Sequence, residues 1–441
     1  MLPTPWGDAD ALRDQPPLAE GDRAEVKRRH RERLFAAMVA SCERKGYEET
    51  SVADLLEISG LSRGTFYAHF DDKLDCFCAA EKEMIKLSVG AATRRLDDEG
   101  DAETRARRAF EFFVDLLVAQ PAAARMGFVE SFRAGERAME PLQVATVDAI
   151  HLAHQLLRQM PGKAEMAEEM ARAMISGFYL IVYRRLESRR EPELRELAPA
   201  MWEWAMGYVP PPCPLRPSSR RPTPAPAGPL PPFAAYSPEQ RIIRAFAAAV
   251  AEKGYPATTI ADVCATAGIS QTTFYLHFSG KRDLAAAALD SGGAQMLAAT
   301  LPAARRAPDW PRAVSAAAQA LCCFLASEPA FARVGMVGLY AAGPELIARR
   351  DQTGIDLLRE LLVPAFEGGE VPDLFLEATV GAIVGVLYDR VLRSGPAGVL
   401  EAAPLITYLI LAPLLDAEEA CDIATEKRPR PAQRRLSGQV D

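Results

Sequence analysis

The hydrophobic pattern of the chain has the period of amphipathic helices over two long stretches. From about residue 24 to residue 208, and again from residue 238 to about residue 415, apolar residues recur every three to four positions. No segment alternates apolar and polar residues for long enough to indicate a strand. The sequence therefore predicts an all-α protein.

A proline-rich segment separates the two helical stretches. Proline removes a backbone donor and cannot continue a helix, so this segment is expected to be a tether of partly polyproline character. The two ends of the chain are expected to be disordered, the last one basic. The predicted domains are a disordered N-terminus (1–22), a first DNA-binding domain (23–73) and effector domain (74–208), a linker (209–236), a second DNA-binding domain (237–282) and effector domain (283–416), and a basic tail (417–441).

The two helical stretches repeat one another and are called module one (23–208) and module two (237–416) below. Lys45-Gly46-Tyr47 returns as Lys253-Gly254-Tyr255, and the segment at 65–70 returns at 273–278. The offset is 208 residues in both cases, and about half of the positions between residues 45 and 75 are identical. Further matches on the same offset, such as Pro121 with Pro329, extend the repeat into the effector domains. A repeat of this length indicates two folded modules rather than a solenoid.

Within each module the repeated segment has the punctuation of a helix-turn-helix. In module one, Gly46 ends a first helix, and Thr50 or Ser51 caps a second helix, with Asp54 at the capping-box spacing. Gly60 permits the positive φ of a tight turn, and Ser62 caps a short third helix. Module two repeats this arrangement with Thr259 and Asp262 as the capping pair and with Gly268 and Ser270 at the turn.

The faces of the short third helix separate its residues by role. Phe66 and Phe70 are four apart and share the apolar side, while Arg63 and Tyr67 share an exposed side with Gly64 beside them. This is the arrangement of a recognition helix, whose first turn enters the major groove of DNA while its flanks contact phosphates.

These residues resemble the TetR family of transcriptional regulators, whose signature is a helix-turn-helix ending in Thr-Phe-Tyr-x-His-Phe followed shortly by Lys. The match is specific over about fifty residues in each module. The resemblance implies that three N-terminal helices bind double-stranded DNA and that a larger helical domain dimerises and binds a small effector. It also implies repression. By position, it predicts base contacts from Arg63 with Gly64 and from Gln271 with Thr272, and phosphate contacts from Thr65, Tyr67, His69, Lys73, Thr273, Tyr275, His277 and Lys281.

Other phosphate contacts are predicted from the helix caps and from a basic run. The capping residues in question are Thr50, Ser51 and Thr259, and Arg28 belongs to a run of arginines and lysines between residues 23 and 33. A solvated helical face is the alternative interpretation of that run. The net charge of −8 argues against indiscriminate coating of nucleic acid, but a local basic surface is sufficient for DNA binding.

The two reading edges differ between the modules. Arginine pairs with guanine and glutamine with adenine, so Arg63 and Gln271 predict two unlike half-sites in an asymmetric operator. The alternative is that these positions have drifted without a change of function. A second alternative is a ligand- or partner-binding regulator in which the helix-turn-helix of module two no longer reads DNA.

The last two helices of each module are expected to form the dimer interface that the resemblance implies. If modules one and two pair with each other, the chain is a pseudo-dimer, and the tether, spanning about 30 Å as a coil, does not forbid it. The alternative is a homodimer of two chains. Aromatic residues at helical spacing suggest effector cavities or plain core: Phe112, Phe128, Phe132, Phe178, Phe324, Tyr340 and Tyr388. The effector itself is not predicted.

An enzyme is the other class of protein weighed. His151 and His154 lie on one helical face, but no further ligand stands at a recognisable metal spacing, and no nucleophile motif or phosphate loop is present. No catalytic function, cofactor or metal is therefore expected. Eight irregularly placed cysteines do not suggest a disulfide framework. With no signal segment or membrane span recognised, a cytoplasmic protein is expected.

Overall fold

The structure, a computed structural model, describes residues 5–14, 23–216 and 236–425. The rest of the predicted disordered ends and of the predicted linker lies outside the described residues. Over the described ranges every regular element is helical and no strand is present, which confirms the predicted all-α class.

Module one consists of a helix-turn-helix unit followed by longer helices. Its helices, together with a short one that precedes it, are α1 Ala9–Arg13, α2 Arg23–Glu49, α3 Val52–Ser59, α4 Arg63–Tyr67, α5 Lys73–Thr93, α6 Ala102–Ala119, α7 Pro121–Arg125, α8 Ser131–Ala134, α9 Glu136–Leu157, α10 Glu168–Glu187 and α11 Glu193–Met206, with a 3₁₀ turn at Arg94–Asp97 and a π-helical turn at Met126–Glu130.

Module two has the same order of elements. Its helices are α12 Pro238–Ala257, α13 Ile260–Ala267, α14 Gln271–His277, α15 Lys281–Arg305, α16 Trp310–Ser327, α17 Pro329–Met336, α18 Pro344–Leu362, α19 Asp373–Ser394, α20 Ala403–Leu411 and α21 Ala417–Ala424, with 3₁₀ turns at Gly338–Ala341, Val363–Ala365, Glu367–Gly369 and Pro396–Ala402.

Two short helices lie where the sequence predicted disorder. Asp8 caps α1 by accepting hydrogen bonds from two backbone N–H groups, and Leu12 buries its side chain. Asp416 caps α21 by accepting one hydrogen bond, from the Glu419 N–H, and Ala420, Cys421 and Ala424 form the buried face of this helix. Each helix is too short to be stable alone, so its order depends on packing that local sequence patterns do not reveal.

The described chain divides into two compact units that do not follow the repeat. The first unit comprises residues 1–161 and 182–202. Its core joins the buried side of α2 to α3, α4 and α5. Leu34, Met38, Leu55 and Phe66 are fully buried there, and the ring of Tyr47 meets Phe77 edge-on at 5.0 Å.

The second unit comprises residues 162–181 and 203–441, so it includes part of α10 and the end of α11 together with all of module two. Within this unit α10 and α19 approach closely: a Cβ added at Gly381 would lie 2.7 Å from the Ser176 carbonyl oxygen. Arg172 forms an ion pair with Asp389 at 3.2 Å. The missing side chain at Gly381 is therefore what allows these two helices to pack backbone to backbone.

The same unit is closed by reciprocal contacts near the ends of the two modules. The Tyr208 hydroxyl donates to the Leu409 carbonyl at 2.8 Å, and the Tyr408 hydroxyl donates to the Val209 carbonyl at 3.0 Å. Cys213 and Cys421 are joined by a disulfide. The spacing of the cysteines did not predict this bond, because its two partners are 208 residues apart in the chain.

Among the described helices, none is by itself both long and apolar enough for a membrane span. Two sharply bent pairs, Ala102–Ala119 with Pro121–Ala134 and Trp310–Ser327 with Pro329–Met336, reach that length and composition together.

Candidate nucleic-acid interface

The turn of each helix-turn-helix is fixed by a glycine and a capping serine. Gly60 and Gly268 both have φ of +64°, a conformation that side chains with a Cβ rarely adopt. Ser62 then accepts a hydrogen bond from the Thr65 N–H at 3.0 Å, and Ser270 accepts one from Thr273 at the same distance. These contacts confirm the predicted caps and set where each short reading helix begins.

The reading helices are held by two buried phenylalanines in each module. Phe66 and Phe70 are 0% and 3% exposed, and Phe274 and Phe278 are 0% and 5% exposed. With this face pinned to the core, the opposite face points outward. The structure thus confirms the predicted division of faces in α4 and α14.

The residues predicted to contact bases lie on the outward face. Arg63 and Gly64 are exposed in the first turn of α4, and Gln271 and Thr272 are exposed in the first turn of α14. Beside them stand Tyr67, 51% exposed, and Tyr275, 57% exposed. Exposed tyrosines next to the first turn of a recognition helix are well placed to hydrogen-bond the DNA backbone.

Leu276 is an outward residue that the sequence analysis did not single out. Its side chain is 79% exposed, and its counterpart in module one is the exposed Ala68. The signal was available, because Leu276 stands between Tyr275 and His277 in the repeated segment. A large apolar side chain on a reading helix is suited to contact with a thymine methyl group.

Reciprocal capping boxes begin α3 and α13. Ser51 and Asp54 exchange hydrogen bonds between side chain and backbone, and Thr259 and Asp262 do the same. Lys45 adds an ion pair to Asp54 at 2.8 Å, and Lys253 pairs with Asp262. The lysine hydrogen bond and the capping hydroxyl both lower the pKa of each aspartate well below its usual range. The two hydroxyls predicted to contact phosphates, Ser51 and Thr259, therefore already donate to a carboxylate.

Thr50 has a structural role inside the reading unit. Its side chain is 2% exposed, its hydroxyl donates to the Gly46 carbonyl at 2.8 Å, and it lies 3.0 Å from the Ser41 hydroxyl. The predicted phosphate contact of this side chain stays a prediction, beside these observed contacts within the unit. Thr50 joins the end of α2 to the start of the turn. The capping pattern at the neighbouring Ser51 does not predict this contact.

Lys73 and Lys281 hold the same turn from the opposite side. The Lys73 ammonium donates to the carbonyls of Tyr47 and Thr50, both at 2.8 Å, and lies 4.0 Å from the centre of the Tyr47 ring. Lys281 makes the corresponding contacts to Tyr255 and Thr258, at 3.1 and 3.2 Å. Partial burial lowers the pKa of both lysines. Their predicted contact with phosphate stays a prediction, beside this observed structural role.

The two modules differ at their histidines. In module one the His69 ring lies edge-on to His30, with Nε2 3.5 Å from the His30 Nδ1. Burial lowers the pKa of both rings, and neighbouring positive charges lower it further. In module two His277 is exposed, and Pro238 stands in the place of His30. A pair of histidines therefore flanks the reading helix of module one alone.

The basic run of α2 separates into inward and outward members. Arg33 donates to the Ser59 carbonyl at 2.9 Å, and the Arg31 guanidinium stacks 5.0 Å from the rings of Phe35 and Phe70. Arg28 is exposed but bonded to Glu25 at 2.7 Å and to Glu32 at 2.5 Å. Lys27 is exposed and close enough to His69 to lower its pKa. The run is thus partly structural, and Lys27 is one of its exposed cations, close to the reading unit.

Module one also joins its reading unit to its effector domain through charged groups. The Glu130 carboxylate accepts the Tyr47 N–H at 2.7 Å, and Arg125 pairs with Glu43 at 2.7 Å and with Glu191 at 2.8 Å. The charged side chains in these bonds, those of Glu130, Arg125, Glu43 and Glu191, are only 8–12% exposed. At the positions 208 residues later, module two has Gly338 in place of Glu130 and Ala251 in place of Glu43.

The aromatic residues suggested for effector binding fall into different environments. Phe324 lines a cavity in module two, whereas Tyr340 and Tyr388 pack against each other with ring centres 5.4 Å apart. In module one the Phe132 ring meets Tyr183 at 5.7 Å, and Arg95 lies 4.8 Å from the ring centre of Phe112. Of the remaining two residues, Phe128 is half-buried, and the Phe178 ring centre lies 6.0 Å from that of Trp204.

Two helix-turn-helix units with exposed first turns and flanking tyrosines define the chain as a DNA-binding protein. The sequence profile of the bacterial regulatory proteins of the tetR family matches residues 34–80 and 242–288, which cover both units. The chain thus belongs to the TetR family of transcriptional regulators and carries its DNA-binding domain twice.

Solved structures similar to the chain include regulators from three bacteria. The fatty acid degradation regulator FadR from Bacillus halodurans is 16% identical, with a TM-score of 0.37 over 40% of this chain and 97% of that one. FadR from Bacillus subtilis, solved with stearoyl-CoA, is 15% identical, with a TM-score of 0.34 over 39% and 95%. TylP from Streptomyces fradiae is 21% identical, with a TM-score of 0.32 over 43% and 90%. The comparison with curated proteins gave no significant match.

Proposed function

We propose that the chain is a cytoplasmic, non-enzymatic transcriptional repressor whose two reading units act as a pseudo-dimer on one asymmetric operator. A small apolar effector would release it. The observation that carries the proposal is the pair of unlike reading edges, Arg63 with Gly64 and Gln271 with Thr272, on two otherwise equivalent exposed helix starts. Arginine favours guanine and glutamine favours adenine, each by about 1–3 kcal/mol, so the two half-sites would differ in sequence.

Contacts inside the second unit support pairing within one chain. Part of module one belongs to that unit, and its residues bond to module two through Arg172 and Tyr208, while the Cys213–Cys421 disulfide joins the segments that follow the two modules. The backbone approach at Gly381 adds close helix packing to these bonds. A second chain is not needed to bury these surfaces.

Release by an effector requires a ligand that binds the free protein better than the DNA-bound protein. Helix α15 is suited to this coupling. Lys281 at its start holds the turn of the second reading unit, while residues from Ala288 to Leu297 line a cavity further along. A ligand that displaced the cavity wall would therefore act on the element that positions α14.

A footprint tests the proposal directly. DNA selected by the wild-type protein from a random pool would be probed with wild type, Tyr67→Ala and Tyr275→Ala at one fixed salt concentration, since affinity depends strongly on salt. We expect each variant to lose protection over a different half-site. Loss in the Tyr67→Ala variant alone would instead make module two a partner that no longer reads DNA. Sedimentation of the complex would separate one chain per operator from a homodimer.

A further inference from the structure

A cavity of about 380 Å³ lies inside module two. Its walls come from α15 to α20 and are formed mainly by leucine, isoleucine, valine, alanine and phenylalanine side chains. Only three polar residues line it: Asp290, Arg350 and Thr353. The volume is within the range of pockets that bind small organic molecules.

Each of these three polar residues already has a partner. Asp290 pairs with Arg349 at 2.7 Å, and Arg350 pairs at 2.7 Å with Asp351, which is 1% exposed. The Thr353 hydroxyl donates to the Arg349 carbonyl at 3.1 Å. The charges of Asp290 and Arg350 are thus already neutralised by their ion-pair partners. A charged ligand in this cavity would be buried without a partner of its own, which is strongly unfavourable. The cavity therefore suits an uncharged molecule.

The corresponding positions of module one have different chemistry. Where Gly293 and Ala318 line the cavity, module one has Ile85 and Phe110, and where Leu289 lines it, module one has the buried carboxyl group of Glu81. The Phe110 ring lies 5.8 Å from Trp202. Bulk and a polar group replace open apolar space, so one ligand would not fit both modules.

The connection to the reading unit also differs between the modules. Glu130 and Arg125 bond the reading unit of module one to its effector domain, whereas module two has Gly338 and Ala251 at the positions of Glu130 and Glu43. In module two the cavity wall and the turn-holding Lys281 share the single helix α15. Module two joins α12 of its reading unit to its effector domain through longer contacts, Arg244 to Glu328 and Arg333 to the Ala251 carbonyl, both at 3.4 Å, against 2.7–2.8 Å in module one.

We propose that effector sensing is confined to module two, where an uncharged apolar molecule binds in this cavity with one molecule per chain. Module one serves as a fixed reading head, and the ligand displaces only the reading unit of module two. The inference rests on the proposed regulatory function for its consequence, but the binding itself can be measured without DNA.

The first test uses the full chain and the neutral fluorophore N-phenyl-1-naphthylamine. We expect saturation at one molecule per chain. Gly293→Ile and Ala318→Phe introduce the side chains that module one has at these positions. Each change is expected to weaken binding of the fluorophore at least tenfold. A Cβ at Gly293 would have only the Thr353 methyl group, at 3.8 Å, nearby, so there is room for the larger side chain. Ile85→Ala, the matched change in module one, should leave affinity and stoichiometry unchanged. Two molecules per chain, or sensitivity only to Ile85→Ala, would overturn the proposal.

A second test needs no variant and so does not depend on the folding of one. Met296 and Met336 line the cavity, while Met84 and Met126 are buried in module one. In spectra of ¹³C-methyl-labelled methionine we expect the probe to shift the first pair and not the second. Shifts confined to Met84 and Met126 would place the ligand in the wrong module for this proposal.

Ligand charge and DNA release form the remaining arms. A neutral hydrocarbon should compete with the probe more strongly than a long-chain acyl-CoA, and the reverse order would refute an uncharged ligand. On selected DNA, saturating probe should remove protection over the half-site that Tyr275→Ala loses and leave the other half-site protected. Failure of unliganded protein to bind any DNA would count against the proposed function while leaving the binding result intact.

Discussion

Glu81 is an ionisable side chain that is fully buried in module one. The Ser131 hydroxyl donates to its Oε1 at 2.6 Å, and Oε2 has no hydrogen-bond partner among the described residues. Burial raises the pKa of this carboxyl group to about 8, against the opposing effect of the serine. Near neutral pH the group is therefore mostly protonated. The Ser131 Oγ also lies 3.1 and 2.8 Å from the carbonyl oxygens of Met126 and Gly127, at the π-helical turn, so the pair packs against an irregular part of the helix.

The raised pKa predicts a pH dependence of stability. The folded protein holds a proton on Glu81 that the unfolded chain releases above its ordinary pKa of about 4.3. The stabilisation is thus complete below that value and is lost as pH rises towards about 8. Glu81→Gln keeps the shape and cannot ionise. We expect the unfolding free energy of wild type to fall relative to this variant by about 1 kcal/mol per pH unit between pH 5 and 8.

Chemical denaturation at several pH values would measure this difference. Glu103→Gln, at an exposed position in the first turn of α6, provides the control and should show no such trend. A difference between wild type and Glu81→Gln that stays constant from pH 5 to 8 would mean that Glu81 ionises normally in the folded protein.

At the scale of elements, Lys73 at the start of α5 can affect DNA binding either by contacting phosphate or by shaping the turn. A lysine that contacts phosphate contributes to the salt dependence of affinity, whereas a lysine that only shapes the turn does not. The Lys73 ammonium donates hydrogen bonds to the carbonyls of Tyr47 and Thr50. Lys27 of α2, by contrast, is exposed and lies near His69. The two residues should therefore affect binding in different ways.

We predict that Lys73→Met weakens operator binding severalfold with little change in the slope of log affinity against log salt. Its effect would come through a loosened turn between α2 and α3. Lys27→Met should instead reduce that slope by about 1, because one phosphate contact and its released counterion are lost. Fluorescence anisotropy titrations between about 50 and 200 mM salt would measure both slopes. A slope reduced by a full unit in Lys73→Met would restore the predicted phosphate contact.

The elements that could be predicted from sequence are those set by neighbours along the chain. The caps Ser51 and Ser62 act over three residues, and Phe66 and Phe70 lie one turn apart, so local spacing was enough. The contacts of Thr50 with Ser41 and of Lys73 with Tyr47 could not be predicted in this way, because they depend on the geometry of the turn. The cavity of module two could not be predicted either. It forms where six helices meet, and no local pattern in α15 indicates it.

For the whole molecule, the disulfide occupies an informative place in the repeat. Cys213 and Cys421 are 208 residues apart, the same offset that relates the two reading helices. In a two-fold arrangement, a residue near the axis meets its own equivalent from the other half. Tyr208 and Tyr408, which are 200 residues apart, also make reciprocal bonds in the second unit. These contacts favour a pseudo-two-fold relation at the end of the modules, and they link the start of the proline-rich linker to α20 and α21.

This link predicts a stability that depends on redox conditions. A cross-link over so long a stretch of chain restricts the unfolded state, and the usual contribution is about 2–4 kcal/mol. Cys213→Ser is the preferred change, because Cys213 is half-buried whereas Cys421 is 1% exposed and its replacement would also disturb α21. In air-oxidised protein, Cys213→Ser should be less stable than wild type by about that amount. In excess dithiothreitol the two should coincide, since both then lack the bond. Cys323→Ser removes a free thiol and should leave the redox dependence of wild type unchanged. Equal denaturation curves for oxidised and reduced wild type would show that pairing of the modules relies on Arg172, Gly381 and the tyrosines without help from the disulfide.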